Sequence, residues 1–421
     1  MNYNWRDGND VELLINGEAF FPSVFEAIRA ARHEVLLETF IICEDKVGSE
    51  LQRTLIEAAE RGVSIEVMVD GYGTADLTSE FITAMASAGI RIRAFDPRPK
   101  LLGMRTNLFR RLHRKIVTVD AEVAFIGGIN FSVDHLSESG PMSKQDYAVR
   151  VCGPIVADIH QASRRLLTYS PQKPPQPGYK TSFANAVNRF AGKARILLAV
   201  RDNEEHPKDI EEHYLHAIRS ASFRLLVANA YFFPGYRLLR ELRNAARRGV
   251  HVTLILQGQS DMPLVRLCSR LLYNYLLRDG VIIYEYCERP LHGKIALVDH
   301  EWSTVGSSNL DPLSLSLNLE ANLIIRDATF NHQLYEHLQD LAQASCKRIT
   351  LKHSMRGYWW RVPLIFLSFH FLRHFPAIAG WLPAHSPRLK LLVPPPDVSP
   401  EPEQLEQHVQ PEMRFDREKA S

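Results

Sequence analysis

The sequence predicts an α/β protein built twice over, with two layered halves drawn from one chain. Three observations predict it. Strand-like runs alternate with helical stretches in two successive series, two distant blocks align without gaps, and one polar motif recurs with the same internal offsets. Alternating strands and helices favour layered α/β packing. At 421 residues the chain exceeds one ordinary core, which suits two halves.

The first series opens with the apolar run 35–42 (VLLETFII). A helical stretch ending in Arg61-Gly62-Val63 follows, then the strand-like run Ser64 to Asp70. The second opens with 223–230 (FRLLVANA), passes through a helix ending in Arg248-Gly249-Val250, and continues as 251–257 (HVTLILQ). Each glycine stands where a left-handed helix cap is expected. Next, 89–99 (GIRIRAFDPRP) aligns with 280–290 (GVIIYEYCERP), and LHRKIVTVDAEVAFIGGIN aligns with LHGKIALVDHEWSTVGSSN. A generic α/β rhythm would reproduce the apolar spacing, but it does not require matched polar residues.

The copies part at one place. Only Leu291 separates Pro290 from His292, whereas the thirteen residues Lys100 to Leu112 separate Pro99 from His113. That insert, KLLGMRTNLFRRL, holds four basic residues, no acid and several large apolar side chains. Such a mixture suits an anionic membrane surface, with a solvated loop over the core as the bland alternative. A helical segment after Asp327 closes the second series. The aromatic and basic stretch 358–383 then either docks on a membrane or packs on the body of the protein. From Pro394 onward the composition is that of a disordered tail. The predicted divisions are 1–190 and 191–350 for the two halves, 351–393 for the aromatic segment and 394–421 for the tail.

Composition excludes several classes. Lys and Arg number 50 against 48 Asp and Glu, so no strongly basic nucleic-acid surface is expected. Five scattered cysteines without a CxxC pair argue against a disulfide framework or zinc site. The polar N-terminus lacks the core of a secretion signal, and no run approaches about 18 apolar residues, so a spanning helix is not expected.

The chemistry gathers in the recurring motif, His-x-Lys, four residues and Asp: His113, Lys115, Asp120, and His292, Lys294, Asp299. Each is followed by a glycine-containing turn and an asparagine, Asn130 and Asn309. The runs 115–119 and 122–126 predict a hairpin, which would fold Asn130 back beside His113, and equally Asn309 beside His292. His and Lys two apart on a strand share a face. Asp120 and Asp299 belong to the recurring catalytic motif, although their place at the hairpin turn suits an orienting or structural role. Lysine and amide donors suit a phosphoryl group, and imidazole can attack phosphorus or protonate a leaving oxygen. Asp146 and Glu320, each just before a β-rich run, are candidates to hold the second ring nitrogens; a surface charge or helix cap is the bland alternative. No P-loop and no carboxylate-rich Mg²⁺ site is present, so neither metal nor cofactor is expected.

This duplicated motif with its glycine-rich Asn segment resembles the phospholipase D superfamily, and within it the bacterial cardiolipin synthases. The latter resemblance extends over nearly the whole chain, including YFFPGYR (231–237), RDNEEH (201–206), GSSNLDPLSLSLNLEAN (306–322) and FHFLRHFPAIAGWLPAH (369–385). It implies a phospholipase-D-like α/β/α sandwich with pseudo-two-fold symmetry and one active site between the halves. It also implies His113 as nucleophile, His292 as acid/base, phosphate held by Lys115, Lys294, Asn130 and Asn309, and histidines oriented by Asp146 and Glu320. The implied reaction transfers a phosphatidyl group between two phosphatidylglycerol molecules, giving cardiolipin and glycerol. The expected setting is the cytoplasmic face of a bacterial cell membrane, as a peripheral protein acting on phospholipids. Hydrolysis, or transfer to other alcohols, is the alternative.

Overall fold

The computed structural model describes residues 4–74, 76–97, 110–167, 190–258, 263–351 and 389–393, with single positions at 363, 364, 367, 370 and 374. Residues 100–109 of the insert, most of 358–383 and the tail from 394 lie outside the described residues.

The first half contributes β1 (Arg6–Ile15), β2 (Glu34–Thr39), β3 (Ser64–Asp70), β4 (Arg91–Phe95), β5 (Ile116–Val119), β6 (Val123–Gly127) and β7 (Tyr147–Cys152). The second repeats the series as β8 (Ala194–Arg201), β9 (Arg224–Asn229), β10 (His251–Gln257), β11 (Ile282–Tyr286), β12 (Lys294–Val298), β13 (Trp302–Gly306) and β14 (Glu320–Arg326). The edge strands β15 (Cys346–Ile349) and β16 (Leu389–Leu391) complete one sheet. β1 and β8 meet antiparallel at its middle, pairing Arg6 with Ile196 and Asn9 with Ala194. Read outward from that seam, one side runs β1-β7-β6-β5-β2-β3-β4 and the other β8-β14-β13-β12-β9-β10-β11. The orders are identical, as a pseudo-two-fold relation requires. β16 pairs with β4 and so fastens the end of the segment 351–393 to the edge of the first half.

The helices are α1 (Asn16–Ala30), α2 (Lys46–Glu60), α3 (Ser79–Ser87) and α4 (Ile155–Leu167), then α5 (Asp209–Ser220), α6 (Tyr236–Arg247), α7 (Pro263–Leu277), α8 (Pro312–Ser316) and α9 (Ala328–Ser345). α1 buries Phe20, Phe21, Val24, Phe25 and Ile28 on one stripe, facing Val35, Leu37 and Val67 of the sheet. α5 and α6 do the same for the second half through Ile210, Leu215, Leu238 and Leu242. A third apolar cluster is common to both halves: Ile155 and Ile159 of α4, Leu334 and Leu338 of α9, and inward residues of β5, β7, β12 and β14. Each large apolar side chain so buried contributes roughly 1.5–3 kcal/mol. The shared cluster therefore helps to hold the two halves together.

Local signals account for the element ends. Asp45 accepts the Val47 and Gly48 amides at 2.9 and 3.1 Å and starts α2, and Asp327 accepts Phe330 N–H at 2.8 Å and starts α9. Gly62 and Gly249 take φ of +90° and +94° at the ends of α2 and α6, a conformation with little cost only for glycine.

The hairpins β5–β6 and β12–β13 form as predicted. Asp120 and Asp299, grouped with the catalytic residues by the motif, lie at the far ends of β5 and β12 from Lys115 and Lys294. Their carboxylates accept backbone amides of the neighbouring strand starts: Arg32, His33 and Glu34 at 2.8 Å for Asp120, and Ser222, Phe223 and Arg224 at 2.8–3.0 Å for Asp299. Each ties the hairpin turn to the entry of β2 or β9. Asp120→Ala and Asp299→Ala should each lower unfolding free energy by about 2–3 kcal/mol in denaturant titrations, because amides lose their acceptor.

Candidate active site

The two His-x-Lys segments enter their strands side by side with the opposite half. His113 N–H donates to Leu319 O at 2.9 Å, and Leu319 N–H donates to Arg111 O at 2.8 Å. The second segment repeats this: His292 N–H donates to Gln145 O at 2.7 Å, and Gln145 N–H to Pro290 O at 2.9 Å. Residues 319 and 145 immediately precede Glu320 and Asp146. The backbone bridges therefore deliver each carboxylate to the histidine of the other half.

The pairing is exchanged in this way. His113 Nδ1 lies 3.0 Å from Glu320 Oε2, and His292 Nδ1 lies 2.6 Å from Asp146 Oδ2. Both carboxylates are fully buried, while the two imidazoles keep 13% and 12% side-chain exposure. With Nδ1 turned to a carboxylate, Nε2 is the nitrogen left for chemistry on each ring. Alternation along the strand entry is as predicted. Arg114, between His113 and Lys115, turns to the other face and pairs with buried Glu38 at 3.0 Å.

Lys115 and Lys294 are buried beside their histidines. Lys115 Nζ donates to His113 O at 2.9 Å, and Lys294 Nζ lies 3.1 Å from His292 Nδ1. Burial pushes Lys115 down to about 7, against the pull of Glu320. Burial likewise lowers His113, opposed by Glu320, and lowers His292 well below its ordinary value, with Lys294 adding to the effect. Burial raises Asp146. For Glu320 burial also pushes upward, but His113, Lys115 and Ser307 together outweigh it and hold the carboxyl below its usual range. The charges of each motif act on the other: Lys294 on His113, Lys115 and His113 on His292. The two motifs thus form one electrostatic cluster.

Asn130 and Asn309 are both buried. Asn309 Oδ1 accepts Tyr231 N–H at 3.4 Å. Asn130 donates its backbone N–H to His135 Nε2 at 3.2 Å, and its Oδ1 has no hydrogen-bond partner. Phe40 lies against the other pair, its ring 5.2 Å from that of His113.

Sequence reasoning missed two supporting residues. Ser307 Oγ donates to Glu320 Oε2 at 2.5 Å. His135, completely buried, sets its ring 5.7 Å from that of His292 and its Nδ1 3.6 Å from Asp146 Oδ2. The signal was available as a mismatch. Five residues past Asn130 comes His135, whereas the same offset from Asn309 gives Ser314, and Gly128 stands where the second copy has Ser307. A Cβ at Gly128 would lie 2.3 Å from Asp146 Oδ1, so a side chain there would displace that carboxylate. His135, Asp146 and His292 are the one group among the described residues that could present three ligand atoms to a metal ion. Lys294 against the same imidazole already supplies a cation there and disfavours a second.

A duplicated α/β sheet with exchanged His–carboxylate pairs and two buried lysines defines a phospholipase-D-like phosphoryl-transfer protein. The family described as "Cardiolipin synthase, PLD-like domain" matches residues 24–150 and 214–342, and the chain belongs to it. It is 55% identical over 395 residues to cardiolipin synthase B of Salmonella typhi, covering 94% of this chain and 95% of that one. Against cardiolipin synthase B of Escherichia coli (strain K12) the identity is 53% over the same coverage. Among solved structures, phosphatidylserine synthase of Haemophilus influenzae Rd KW20 superposes with a TM-score of 0.64, covering 87% of this chain and 96% of that one at 12% identity. That likeness concerns the fold.

The depressed Glu320 has a signed consequence. Held below 4.5 in the folded state, it contributes stability above that pH that is lost as pH falls through the folded value. Glu320→Gln should flatten the acid side of the stability–pH curve. At pH 7 it should cost about 1–3 kcal/mol, because the buried His113 ring and Ser307 hydroxyl lose an ionised acceptor.

Proposed function

We propose that the chain is a cardiolipin synthase, moving a phosphatidyl group from one phosphatidylglycerol to a second and releasing glycerol. The observation that carries this reading is the convergence of His113 and His292, each braced by a carboxylate of the opposite half, in one buried cluster with Lys115 and Lys294. The close relatives bear the name of that activity.

In the proposed reaction, His113 Nε2 attacks the donor phosphorus. The P–O bond to glycerol breaks, and protonated His292 gives its proton to the departing glycerol oxygen. A phosphohistidine results. The hydroxyl of the second phosphatidylglycerol then passes its proton to His292 and attacks phosphorus, breaking the P–N bond and freeing His113. The order of the two histidines follows the family resemblance. Lys115, Lys294, Asn130 and Asn309 hold the phosphate oxygens, whose charge is best stabilised by donors already in place and sheltered from water. Glu320 and Asp146 orient the rings and stabilise the imidazolium.

Residues 1–190 and 191–350 are the two catalytic halves in this reading. The protein acts on phospholipids as a peripheral component of a bacterial membrane, on its cytoplasmic side. No helix among the described residues is long and apolar enough to cross a membrane.

Incubating the purified protein with phosphatidylglycerol in vesicles and resolving the products tests the assignment. Cardiolipin and glycerol are expected; phosphatidic acid alone would make the chain a hydrolase. His113→Ala and His292→Ala should each lower turnover by at least about 10³-fold, as expected when groups act as a unit. Near-normal activity in either variant would contradict the shared site.

Lys115 adds a pH-dependent expectation. At pH 8 a lysine held at about 7 is mostly neutral, and a bound phosphodiester draws it back to its charged form. Binding of a phosphatidylglycerol headgroup analogue to the wild-type protein at pH 8 should therefore take up protons. Calorimetry in buffers of different ionisation enthalpy measures this, and Lys115→Met should abolish most of the uptake.

A further inference from the structure

The two carboxylates that orient the histidines are supported by different groups. Glu320 Oε2 receives the Ser307 hydroxyl as well as His113. At the corresponding place beside Asp146 stands Gly128, where the carboxylate itself occupies the space a Cβ would take. What approaches Asp146 instead is His135, carried on the short 3₁₀ turn Val133–His135 that follows Asn130.

The protonation of His135 can be read from its contacts. Nε2 accepts the Asn130 backbone N–H at 3.2 Å and therefore carries no hydrogen. The ring is wholly buried, and burial acting first holds it far below its ordinary value, hence neutral. A neutral imidazole with a bare Nε2 has its hydrogen on Nδ1. That atom is buried, has no hydrogen-bond partner, and lies 3.6 Å from Asp146 Oδ2, the oxygen that meets His292 at 2.6 Å. Two imidazoles thus address one carboxylate oxygen, one in contact and one about half an ångström beyond ordinary hydrogen-bond length. A buried N–H without a partner is rare enough to require an explanation. The acceptor it faces at 3.6 Å is the one whose charge distribution changes when His292 gains or loses a proton.

We propose that His135 is a positioning residue, donating Nδ1–H to Asp146 and so fixing the carboxylate that orients His292. It touches neither substrate nor phosphorus. Its N–H replaces, in the first half, the hydroxyl that Ser307 supplies in the second. The donor is neutral, so it braces the carboxylate without placing a further cation beside Lys294. This inference rests on the reading of His292 as a reacting group.

The two nitrogens of His135 can be separated by substitution. Asn places an amide N–H near the position of Nδ1, while Gln reaches the position of Nε2 and can accept from Asn130. The measurement is kcat and KM for phosphatidylglycerol in vesicles, with thermal unfolding as a fold check, for His135→Asn, His135→Gln and His135→Leu beside His292→Ala. The expected result is kcat within about threefold of wild type for His135→Asn, and roughly tenfold to a hundredfold lower for His135→Gln and His135→Leu, with KM unchanged throughout. A role confined to anchoring the Asn130 loop gives the reverse order, Gln above Asn. Any pattern in which Asn fails to exceed Gln overturns the proposal, and the Asn–Gln pair decides even where the Leu variant does not fold. An active His292→Ala would instead overturn the proposed function, a result distinguishable from full activity in the three His135 variants with His292→Ala inactive.

Discussion

Everything in the molecule depends on an exchange: each imidazole is oriented by a carboxylate belonging to the other half. His113 leans on Glu320 and His292 on Asp146. A histidine without that contact has two free ring nitrogens, two tautomers and a rotatable ring; with it, Nδ1 is committed and Nε2 is aimed. Neither half can aim its own ring. The backbone bridges at Leu112–Leu319 and Gln145–Leu291 exist in the same exchanged pattern and hold the carboxylates to their distant partners. The β1–β8 seam and the apolar cluster common to α4 and α9 are what make such contacts permanent.

The exchange also makes the buried charge tolerable. Two lysines and two carboxylates are enclosed here, and unpaired they would be strongly destabilising. Interleaved, Lys115 feels Glu320 and Asp146, and Asp146 in turn feels both lysines. Desolvation is still the largest influence on the site's histidines and lysine, pulling them toward neutrality. A site balanced in this way is poised for an anion. A phosphodiester entering it restores a reason for the lysine and one imidazole to carry charge, and the donors it meets are already in position and need no reorganisation.

Much of this was legible in the sequence, and the residues show why. The strand Ser64 to Asp70, the strand His251 to Gln257 and both hairpins follow from local alternation and turn residues, which act over a few positions. Gly62 and Gly249 marked helix ends because a left-handed cap admits little else. Asp146 and Glu320 were found as a matched pair ahead of matched strands. Which histidine each serves was not legible, because offsets within a half carry no information about contacts between halves. Asp120 and Asp299 recur with the motif, and the spacing alone puts them at a hairpin turn, a strand's length from the strand entry. His135 is illegible for the opposite reason: the repeat marks what the two copies share, and His135 is present in only one of them.

A duplicated fold poses a chemical problem, since two identical half-sites would have equal claim to act as nucleophile and as acid. The places where the copies diverge are therefore where roles can separate. Around Glu320 the second support is a hydroxyl, short and neutral; around Asp146 it is an imidazole held neutral by burial. The consequences differ for the two carboxyls. Glu320 is held down by the combined pull of His113, Lys115 and Ser307, whereas for Asp146 burial prevails and the group is raised. A carboxylate that stays ionised favours a steadily oriented ring, and one nearer to accepting a proton suits a partner that gains and loses protons during turnover. In the proposed reaction His113 is the nucleophile and His292 the acid/base.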